Sequence, residues 1–319
     1  MKIIVLDSRP TDVGDLDWAP LRSLGDLTLY ETTPAAEVLA RIGEAEVVFT
    51  NKVKITREAI EAAPKLKYIG ELATGYDNID IAAARERDIT VCNVAGYSSA
   101  FTAQTAWALI LELCARAGAH SELVHAGKWA QSPVFSFWDY PLVELDGKSL
   151  LIVGLGNIGT RVAKIGEAMG MKAVAAITPG REGETSPSEF PRVALDEALK
   201  GADVVSLHAP LSPGTRGLMN AQRLAMMKRG ALLVNTGRGP LVDDNAVAEA
   251  LRSGQLGGFA ADVLFPEPPP AEHPLYGAPN CILTPHLGWA SPEARARLLA
   301  DSIENLRAFV AGAPRNVVS

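Results

Sequence analysis

Arg238, Glu267 and His286 are notable because each follows an apolar run that predicts a strand. The runs are "ALLVNTG" before Arg238, "GGFAADV" before Glu267 and "CILTP" before His286. Arginine offers a planar cationic fork to a carboxylate and a carbonyl oxygen. Histidine can donate or accept a proton at neutral pH, and a carboxylate beside it would fix its tautomer and favour the protonated ring. The three types suit hydride chemistry on a 2-oxo acid, whereas the alternative for His286 is a structural hydrogen-bonding role.

Strand and helix signals alternate along the whole chain. The strand-like runs are "KIIVLD" at the start, "AEVVFT" (45–50), "LKYIGEL" (66–72), "ITVCNV" (89–94), "SLLIVGLGNIG", "KAVAAI", "DVVSLHAP", "ALLVNTG", "GGFAADV" and "CILTPH". Helical patterns fill the intervals, including 98–129, 159–169, 194–200, 220–228 and 243–252, and a last helix runs from Pro292 to its cap at Gly312. Strands separated by helices predict parallel sheets, whose carboxyl edges bind ligands.

The pattern predicts an α/β fold of two Rossmann-like parallel-sheet domains with a cleft between them. We expect a dinucleotide domain over 99–286. The linker at 286–292 could return the last helix to the first domain, so the substrate domain would be discontinuous, 1–98 plus 287–319. The segment 128–147 breaks the alternation, because "AQSPVFSFWDYPLVELDGK" is aromatic, proline-bearing and aperiodic. A long irregular stretch of this kind is usually functional or interfacial.

The composition excludes several classes of protein. Of 319 residues, 48% are hydrophobic and 21% charged, and the net charge of −7 argues against nucleic-acid binding. We expect no signal peptide and no membrane span, because no apolar run approaches the required length of about 20 residues. Cys92, Cys114 and Cys281 are too widely spaced for a metal site or a disulfide framework, so we expect a cytoplasmic protein without a metal.

A glycine pattern predicts a dinucleotide site. Gly154, Gly156 and Gly159 form GxGxxG after a strand and before a helix, and a second strand follows. The first glycine permits the tight turn, the second lets a pyrophosphate approach the backbone, and the third lets the helix pack on the strand. The helix N-terminus then faces the phosphates. The alternative is a purely structural turn, although the strand–helix–strand context favours NAD(H) or NADP(H).

The sequence leaves the choice between NAD and NADP open. NAD-binding domains usually carry a carboxylate at the end of the next strand, where it holds the adenosine ribose. Here "AAITPGRE" places Ile177 at that position. Thr178 or Arg181 could contact a 2′-phosphate, and the alternative for Arg181 is a solvated loop position.

The motifs together resemble the D-isomer-specific 2-hydroxyacid dehydrogenases almost from end to end. The similar segments are "ELATGYDNID" (71–80), "VCNVAGYSSAFTAQ" (91–104), "GLGNIG", "VVSLHAPLSPGTRGLMN" (204–220), "MKRGALLVNTGRGPLVD" (227–243), "AADVLFPEPPP" and "LTPHLGW". The glycerate dehydrogenase (hydroxypyruvate reductase) branch is the most similar, through "TNKVKI", "CNVAGYS" and "FWDYPLVELDGK".

The resemblance implies a role for each motif. Arg238 would bind substrate and polarise its carbonyl, and His286 would be the acid/base paired with Glu267. Asn51, Thr74 and Gly75 would contact the substrate, the last two by backbone N–H groups on its carboxylate. Cofactor contacts would include Thr102, Asn157, Ile158, His208, Pro210, Thr215, Thr236, Gly237, Asp262 and Gly288, besides Arg238 and His286. The four other histidines, without a comparable carboxylate partner in a motif, are expected to be non-catalytic.

The expected reaction is reduction of hydroxypyruvate or glyoxylate to the D-2-hydroxy acid. The alternatives are another 2-oxo acid, 3-phosphoglycerate, or a dinucleotide-sensing interaction protein with little turnover. The substrate loop Ala73-Thr74-Gly75 departs from the Gly-Val-Gly of many relatives, which leaves substrate preference open. The resemblance also implies a homodimer formed through 128–147, and Trp138 could reach the substrate pocket of the partner subunit.

Overall fold

The chain divides into two compact units, each built on one parallel sheet. The computed structural model describes residues 1–180 and 189–319. Unit 1 comprises Met1–Ser98 and Trp289–Ser319, and unit 2 comprises Ser99–Gly288. Two parallel sheets confirm the predicted fold class. None of the helices within the described residues is long and apolar enough to cross a membrane.

Unit 1 is built on a five-stranded sheet. Its strands are β1 (Lys2–Val5), β2 (Asp26–Leu29), β3 (Val47–Thr50), β4 (Tyr68–Glu71) and β5 (Thr90–Cys92), in the order β2-β1-β3-β4-β5, all parallel. The helices between them are α1 (Ala19–Arg22), α2 (Val38–Ile42), α3 (Arg57–Glu61) and α4 (Ile81–Glu86), with a 3₁₀ turn at Ala35–Glu37. Every residue of β3 and β4 is buried, as expected for strands covered on both faces. The sequence pattern did not predict β2, a four-residue strand at the edge of the sheet.

Unit 2 is built on a seven-stranded sheet. Its strands are β6 (Ser149–Val153), β7 (Lys172–Ile177), β8 (Arg192–Ala194), β9 (Val204–Leu207), β10 (Ala231–Asn235), β11 (Leu256–Ala261) and β12 (Cys281–Leu283), in the parallel order β12-β11-β10-β9-β6-β7-β8. The chain therefore runs from β6 toward one edge and resumes at β9 toward the other. This reversal between β6 and β9 is the switch point at which doubly wound sheets bind ligands.

The helices of unit 2 correct one expectation from the sequence. They are α5 (Ser99–Ala115), α6 (Ala117–His125), α7 (Asn157–Ala168), α8 (Leu195–Gly201), α9 (Ala221–Met226) and α10 (Asp244–Arg252), with 3₁₀ turns at Trp129–Gln131 and Gly239–Leu241. The single helix predicted over 98–129 is wrong. Arg116 adopts a left-handed conformation, with φ of 52°, which ends α5 and starts α6 in a new direction.

The last helix, α11 (Pro292–Val310), returns to unit 1. Ser291 caps it, with its Oγ accepting a hydrogen bond from the Ala294 N–H at 3.2 Å. Leu298, Leu299 and Leu306 are buried in one core cluster with strands β1, β3 and β4. After the helix, the Val318 N–H donates to the Val91 carbonyl at 2.8 Å, so the tail pairs alongside β5. Helix α11 and the tail thus complete unit 1.

Candidate active site

The loop after β6 has the backbone that a dinucleotide pyrophosphate requires. Gly154 has a φ of 100°, which favours glycine, and a Cβ there would lie 2.4 Å from the Ala209 nitrogen. A Cβ on Gly159 would lie 2.2 Å from the Gly154 carbonyl oxygen, so only glycine lets α7 pack this close to the loop. A Cβ on Gly156, by contrast, would meet nothing within 4 Å. The space beside Gly156 is open to a ligand.

The N-terminus of α7 offers unpaired donors to that space. Gly156 is the N-cap and provides no capping side chain. The first bond of the helix runs from the Thr160 N–H to the Gly156 carbonyl at 2.9 Å. No acceptor among residues 1–180 and 189–319 takes the N–H groups of Asn157, Ile158 or Gly159. Free N–H groups and the positive end of the helix suit a phosphate anion.

The loop lies at the switch point of the sheet. The His208 N–H, just after β9, donates to the Val153 carbonyl at the end of β6, at 2.7 Å. The loops after β6 and β9 therefore meet where the strand order reverses. This is the position of the dinucleotide in other doubly wound sheets, so the glycine loop fits such a cofactor in both geometry and placement.

The end of β7 carries no carboxylate in the part of the chain that is described. Ile177 is the last residue of the strand, and Thr178, buried, follows it. Neither Thr178 nor the next two residues are acidic. Arg181, the other candidate for a 2′-phosphate, lies outside the described residues.

His208 is held as a neutral ring beside the predicted nicotinamide side of the cofactor site. Its Nε2 lies 2.8 Å from Ser206 Oγ, and its Nδ1 lies 3.1 Å from Thr236 Oγ1. Burial lowers the pKa of His208 to about 3, although the ring edge is partly exposed. A ring that stays neutral and has a hydroxyl group beside each nitrogen is a poor proton donor.

Arg238 is presented by a loop that Asn235 organises. Asn235 ends β10 and is fully buried. Its Oδ1 accepts from the Gly237 N–H at 3.0 Å, and its Nδ2 donates to the Arg238 carbonyl at 2.9 Å. The guanidinium of Arg238 is half-buried, and its Nη1 donates to the Gly237 carbonyl at 2.9 Å. Asn235 was not among the predicted site residues, and its only signal in the sequence is that it closes the apolar run "ALLVN".

His286 and Glu267, which are 19 residues apart, form a direct pair. The His286 Nδ1–H donates to Glu267 Oε2 at 2.8 Å, and Glu267 Oε1 accepts from the Leu264 N–H at 3.0 Å. Both carboxylate oxygens are therefore engaged, and the ring is oriented. His286 itself has a φ of 56°, and its side chain is 29% exposed. The pairing at Nδ1 leaves Nε2 as the nitrogen that can exchange a proton with a ligand.

Asp262 and Thr102 hold the turn that carries His286. Asp262 is buried, and its Oδ1 accepts from Thr284 Oγ1 at 2.6 Å and from the Leu287 N–H at 2.7 Å. Its Oδ2 accepts from the Gly288 N–H at 2.7 Å, while Thr102 Oγ1 donates to the Gly288 carbonyl at 2.8 Å. These bonds fix both sides of the turn. Their predicted contact with the cofactor stays a prediction.

Thr215 also uses its hydroxyl within the chain. Its Oγ1 donates to the Pro210 carbonyl at 2.7 Å and accepts from the Ser212 N–H at 2.8 Å. Thr215 is buried, whereas Pro210 is exposed. The hydroxyl closes the turn that presents Pro210, so of the two predicted cofactor contacts Pro210 is the accessible one.

In unit 1, the substrate loop leaves a row of N–H groups free. The N–H groups of Thr74, Gly75 and Tyr76 find no acceptor in the described chain. Successive free N–H groups in a turn suit an anion such as a carboxylate. Asn51 is buried just behind the loop, with its Nδ2 donating to the Leu72 carbonyl at 2.5 Å. Its Oδ1 is buried and has no partner within the described residues.

Two carboxyl groups that were not among the predicted site residues are buried near Asn51. Asp7 accepts from the N–H groups of Asn51, Lys52 and Val53, yet burial raises its pKa. Glu71 ends β4, accepts from Asn78 Nδ2 at 3.0 Å, and has its pKa raised well above the usual range by burial. A neutral carboxyl group loses less hydration than a carboxylate on burial. Glu71 therefore holds the far side of the substrate loop, at Asn78.

The premise that the other histidines have no carboxylate partner is wrong for one of them, while their non-catalytic assignment stays a prediction. His273 does have a carboxylate partner, because its Nε2 lies 3.3 Å from Asp244 Oδ2, at the start of α10. Burial of this pair raises the pKa of Asp244. His120 lies in α6, and its ring meets the ring of Tyr140 edge-on, with 5.5 Å between the ring centroids. Tyr140 belongs to the segment 128–147. Neither ring meets Arg238 or Glu267 in the described hydrogen bonds.

The three cysteines are free thiols. Cys92 and Cys114 are buried and Cys281 is half-buried. Burial raises the pKa of the Cys114 thiol to about 11 and that of Cys281 to about 12, so both stay protonated at neutral pH. Within residues 1–180 and 189–319, no group of three His, Cys, Asp or Glu side chains could hold a metal ion.

The amino-acid sequence is similar to a known protein family and to several enzymes of that family. Residues 107–288 match the model of the family described as "D-isomer specific 2-hydroxyacid dehydrogenase, NAD binding domain". A hydroxypyruvate reductase of Blautia hydrogenotrophica is 43% identical over 325 residues, covering 100% of each chain. A glycerate dehydrogenase of Methylorubrum extorquens is 38% identical and covers 91% of this chain and 90% of its own.

A solved structure shares both units. The NADPH-dependent glyoxylate/hydroxypyruvate reductase of Sinorhizobium meliloti, in complex with citrate, is 27% identical, with a TM-score of 0.85. The similarity covers 100% of this chain and 97% of that one. The site described above therefore lies in a fold that binds a nicotinamide dinucleotide in its relatives.

Proposed function

Because the chain belongs to the D-isomer-specific 2-hydroxyacid dehydrogenase family, we propose that it reduces hydroxypyruvate or glyoxylate to D-glycerate or glycolate. The 2.8 Å pair of His286 with Glu267 is the observation that carries the proposal, because it provides an oriented acid/base. The relatives named hydroxypyruvate reductase, glycerate dehydrogenase and glyoxylate reductase support the substrate class. We assign the substrate domain to unit 1 and the dinucleotide domain to unit 2.

In the proposed mechanism, four residues act on the oxo acid directly, and Glu267 acts on the ring of His286. The N–H groups of Thr74 and Gly75 bind its carboxylate. The guanidinium of Arg238 binds the carbonyl oxygen and stabilises the negative charge that develops there. The glycine loop of unit 2 would hold a nicotinamide dinucleotide, which when bound would supply the hydride for the carbonyl carbon. His286 Nε2 gives a proton to the oxygen, and Glu267 stabilises the ring while it is cationic.

Initial rates test the proposal. Purified protein is assayed with hydroxypyruvate, glyoxylate, pyruvate and phenylpyruvate, each with NADH and with NADPH, and 3-phosphoglycerate is assayed with the oxidised cofactors. We expect the highest kcat/KM with hydroxypyruvate or glyoxylate. Faster oxidation of 3-phosphoglycerate would replace the substrate assignment. Tight dinucleotide binding with no turnover of any acid would favour a sensing protein instead.

For the cofactor, we infer that the chain accepts NADPH as well as NADH. Ile177 ends β7, and neither it nor the next three residues carry the carboxylate that repels a 2′-phosphate. Asn157, Ile158 and Gly159 would hold the pyrophosphate shared by both cofactors. Thr178, and Arg181 outside the described residues, are the proposed contacts on the 2′-phosphate side.

Ile177→Asp should shift this preference toward NADH. The new carboxylate can accept hydrogen bonds from the ribose hydroxyls and repels a phosphate, so kcat/KM with NADPH should fall by about tenfold or more. Ile177→Asn is the matched control, because it has nearly the same shape without the charge. An NADPH/NADH ratio that falls equally in both variants would show that the effect is not electrostatic.

The segment 128–147 supports a homodimer as the working state. It exposes large apolar side chains, including Phe135 at 90% and Trp138 at 68%. Beside them lies a cavity of about 370 Å³, lined by Ala115, His120, Val124, Trp129, Ser136, Phe137, Trp138 and Leu142. Large exposed apolar side chains that lie together on a surface often mark an interface. We propose that two copies bury these surfaces and that Trp138 contacts the substrate bound by the partner subunit.

Phe135→Ser combined with Trp138→Ser should convert the dimer to monomers in sedimentation velocity. The loss of two exposed aromatic anchors removes the apolar area that drives association. Val13→Ser, at a residue 77% exposed outside this segment, should leave the assembly unchanged. Trp138→Ala alone should raise the KM for hydroxypyruvate while the dimer persists. A wild-type protein that sediments as a monomer would contradict the assignment.

A further inference from the structure

We propose that three asparagines, Asn93, Asn305 and Asn316, set the orientation of the Thr74–Gly75 peptide and thereby the affinity for the substrate carboxylate. This inference rests on the proposed function, in which the Gly75 N–H binds that carboxylate. All three residues and the loop belong to unit 1. Asn93 follows β5, Asn305 lies in α11, and Asn316 lies in the tail.

Asn93 holds the loop directly. Its Nδ2 donates to the Thr74 carbonyl at 2.7 Å. That carbonyl and the Gly75 N–H belong to one planar trans peptide group, in which they point in opposite directions. Holding the oxygen toward Asn93 therefore aims the Gly75 N–H away from it, toward the side where no acceptor in the described chain is found. Thr74 Oγ1, donating to the Val94 carbonyl at 2.9 Å, fixes the same residue from its side chain.

Asn93 is in turn held by a closed ring of hydrogen bonds. The Asn93 N–H donates to the Asn316 carbonyl at 3.2 Å. Asn316 Nδ2 donates to Asn305 Oδ1 at 2.9 Å, and Asn305 Nδ2 donates to the Asn93 carbonyl at 2.9 Å. Each asparagine thus both donates and accepts within the ring. Asn305 is 1% exposed, so water cannot replace its bonds.

The side chain at position 305 must donate to the Asn93 carbonyl and accept from Asn316 Nδ2, and only an amide of this length does both. An aspartate would accept from Asn316 but could not donate to Asn93, and a leucine of similar shape could do neither. Either change leaves the Asn93 carbonyl buried without its donor, and Asn93 can then shift toward another partner. Asn305 makes no hydrogen bond to the loop itself within the described residues, so it is a positioning residue that acts through Asn93.

The test is the KM of Asn305→Leu for the 2-oxo acid that the wild type reduces fastest. We expect the KM to rise about tenfold, because the loss of one hydrogen bond to an anion weakens binding by about this factor. We expect kcat to stay within about twofold and the Kd for the dinucleotide to be unchanged, because the hydride-transfer residues lie in unit 2. Circular dichroism and the Tm confirm that the variant is folded.

Two further variants sharpen the result. Ser302→Ala changes another buried residue of α11, whose Oγ has no partner within the described residues, and should leave the KM unchanged. Asn316→Gly keeps the left-handed conformation of residue 316, whose φ is 55°, and removes only the remote amide, so a rise of about twofold to threefold is expected.

The outcomes separate this inference from the proposed function. If the wild type reduces none of the acids, the proposed function fails before any variant is compared. If the wild type turns over and the KM of folded Asn305→Leu is unchanged, the asparagine ring has no positioning role. A KM raised equally by Ser302→Ala would also overturn the proposal, because any disturbance of α11 would then suffice. Should Asn305→Leu not fold, the KM of Asn316→Gly decides.

Discussion

Replacement of His286 by Asn should lower kcat for hydroxypyruvate by about 10³-fold, the usual contribution of a general acid in the transition state. Asparagine suits the experiment because it tolerates the left-handed conformation of residue 286, whose φ is 56°. It removes the ring that pairs with Glu267 at 2.8 Å and leaves no group that can give a proton to the substrate oxygen. The measurement is steady-state kinetics at saturating cofactor, with dinucleotide affinity measured in parallel.

Two further variants test whether the effect is specific to His286. His125→Asn changes an exposed histidine at the end of α6 and should have no effect on turnover. Glu267→Gln keeps a hydrogen-bond acceptor for Nδ1 but removes the charge, so its kcat should fall less, by about 10-fold to 100-fold. A folded His286→Asn variant with near-normal kcat would refute the assignment of the proton donor.

Arg238→Ala should lower kcat/KM by about 10³-fold, because the guanidinium both binds the oxo acid and stabilises the charge on its oxygen. Arg238→Lys keeps the charge but loses the planar fork, so we expect it to recover only part of that loss. The expected pattern combines a raised KM with a lowered kcat in the alanine variant.

The control for Arg238 is Arg216→Ala, an exposed arginine in the same unit. It should leave both constants unchanged. Equal kcat/KM values for Arg238→Ala and the wild type, in a protein that still binds the dinucleotide, would remove Arg238 from the reaction and leave its loop a purely structural role.

The sequence predicted the parts of the fold that depend on local pattern. Apolar runs such as those of β6 and β10 are long enough to identify a buried strand, and the residue after each run is then placed at the carboxyl edge of a sheet. The short edge strands β2 and β8, four and three residues long, carry too few apolar positions to be distinguished from loops. The break between α5 and α6 was missed because the helical pattern continues through Arg116, and only its backbone conformation reveals the turn.

Within the candidate site, the sequence likewise predicted residues with a distinctive chemistry but not residues whose role depends on partners elsewhere in the chain. Arg238, Glu267 and His286 were found because each residue type has a chemistry of its own. Asn235 was missed because its role is to accept from Gly237 and donate to Arg238, which ordinary polar residues at strand ends also do. The bond from Asn305 to Asn93 spans 212 residues, and nothing in either neighbourhood indicates the other.

Helix α11 has a consequence for the order in which the protein is made. A ribosome that has synthesised residues 1–98 has produced all five strands of unit 1 but none of Leu298, Leu299 and Leu306, which pack in one of its core clusters. Residues 99–288, by contrast, form unit 2 as one uninterrupted segment. We therefore expect the apolar surface that α11 covers to stay exposed on the N-terminal segment until unit 2 has been synthesised.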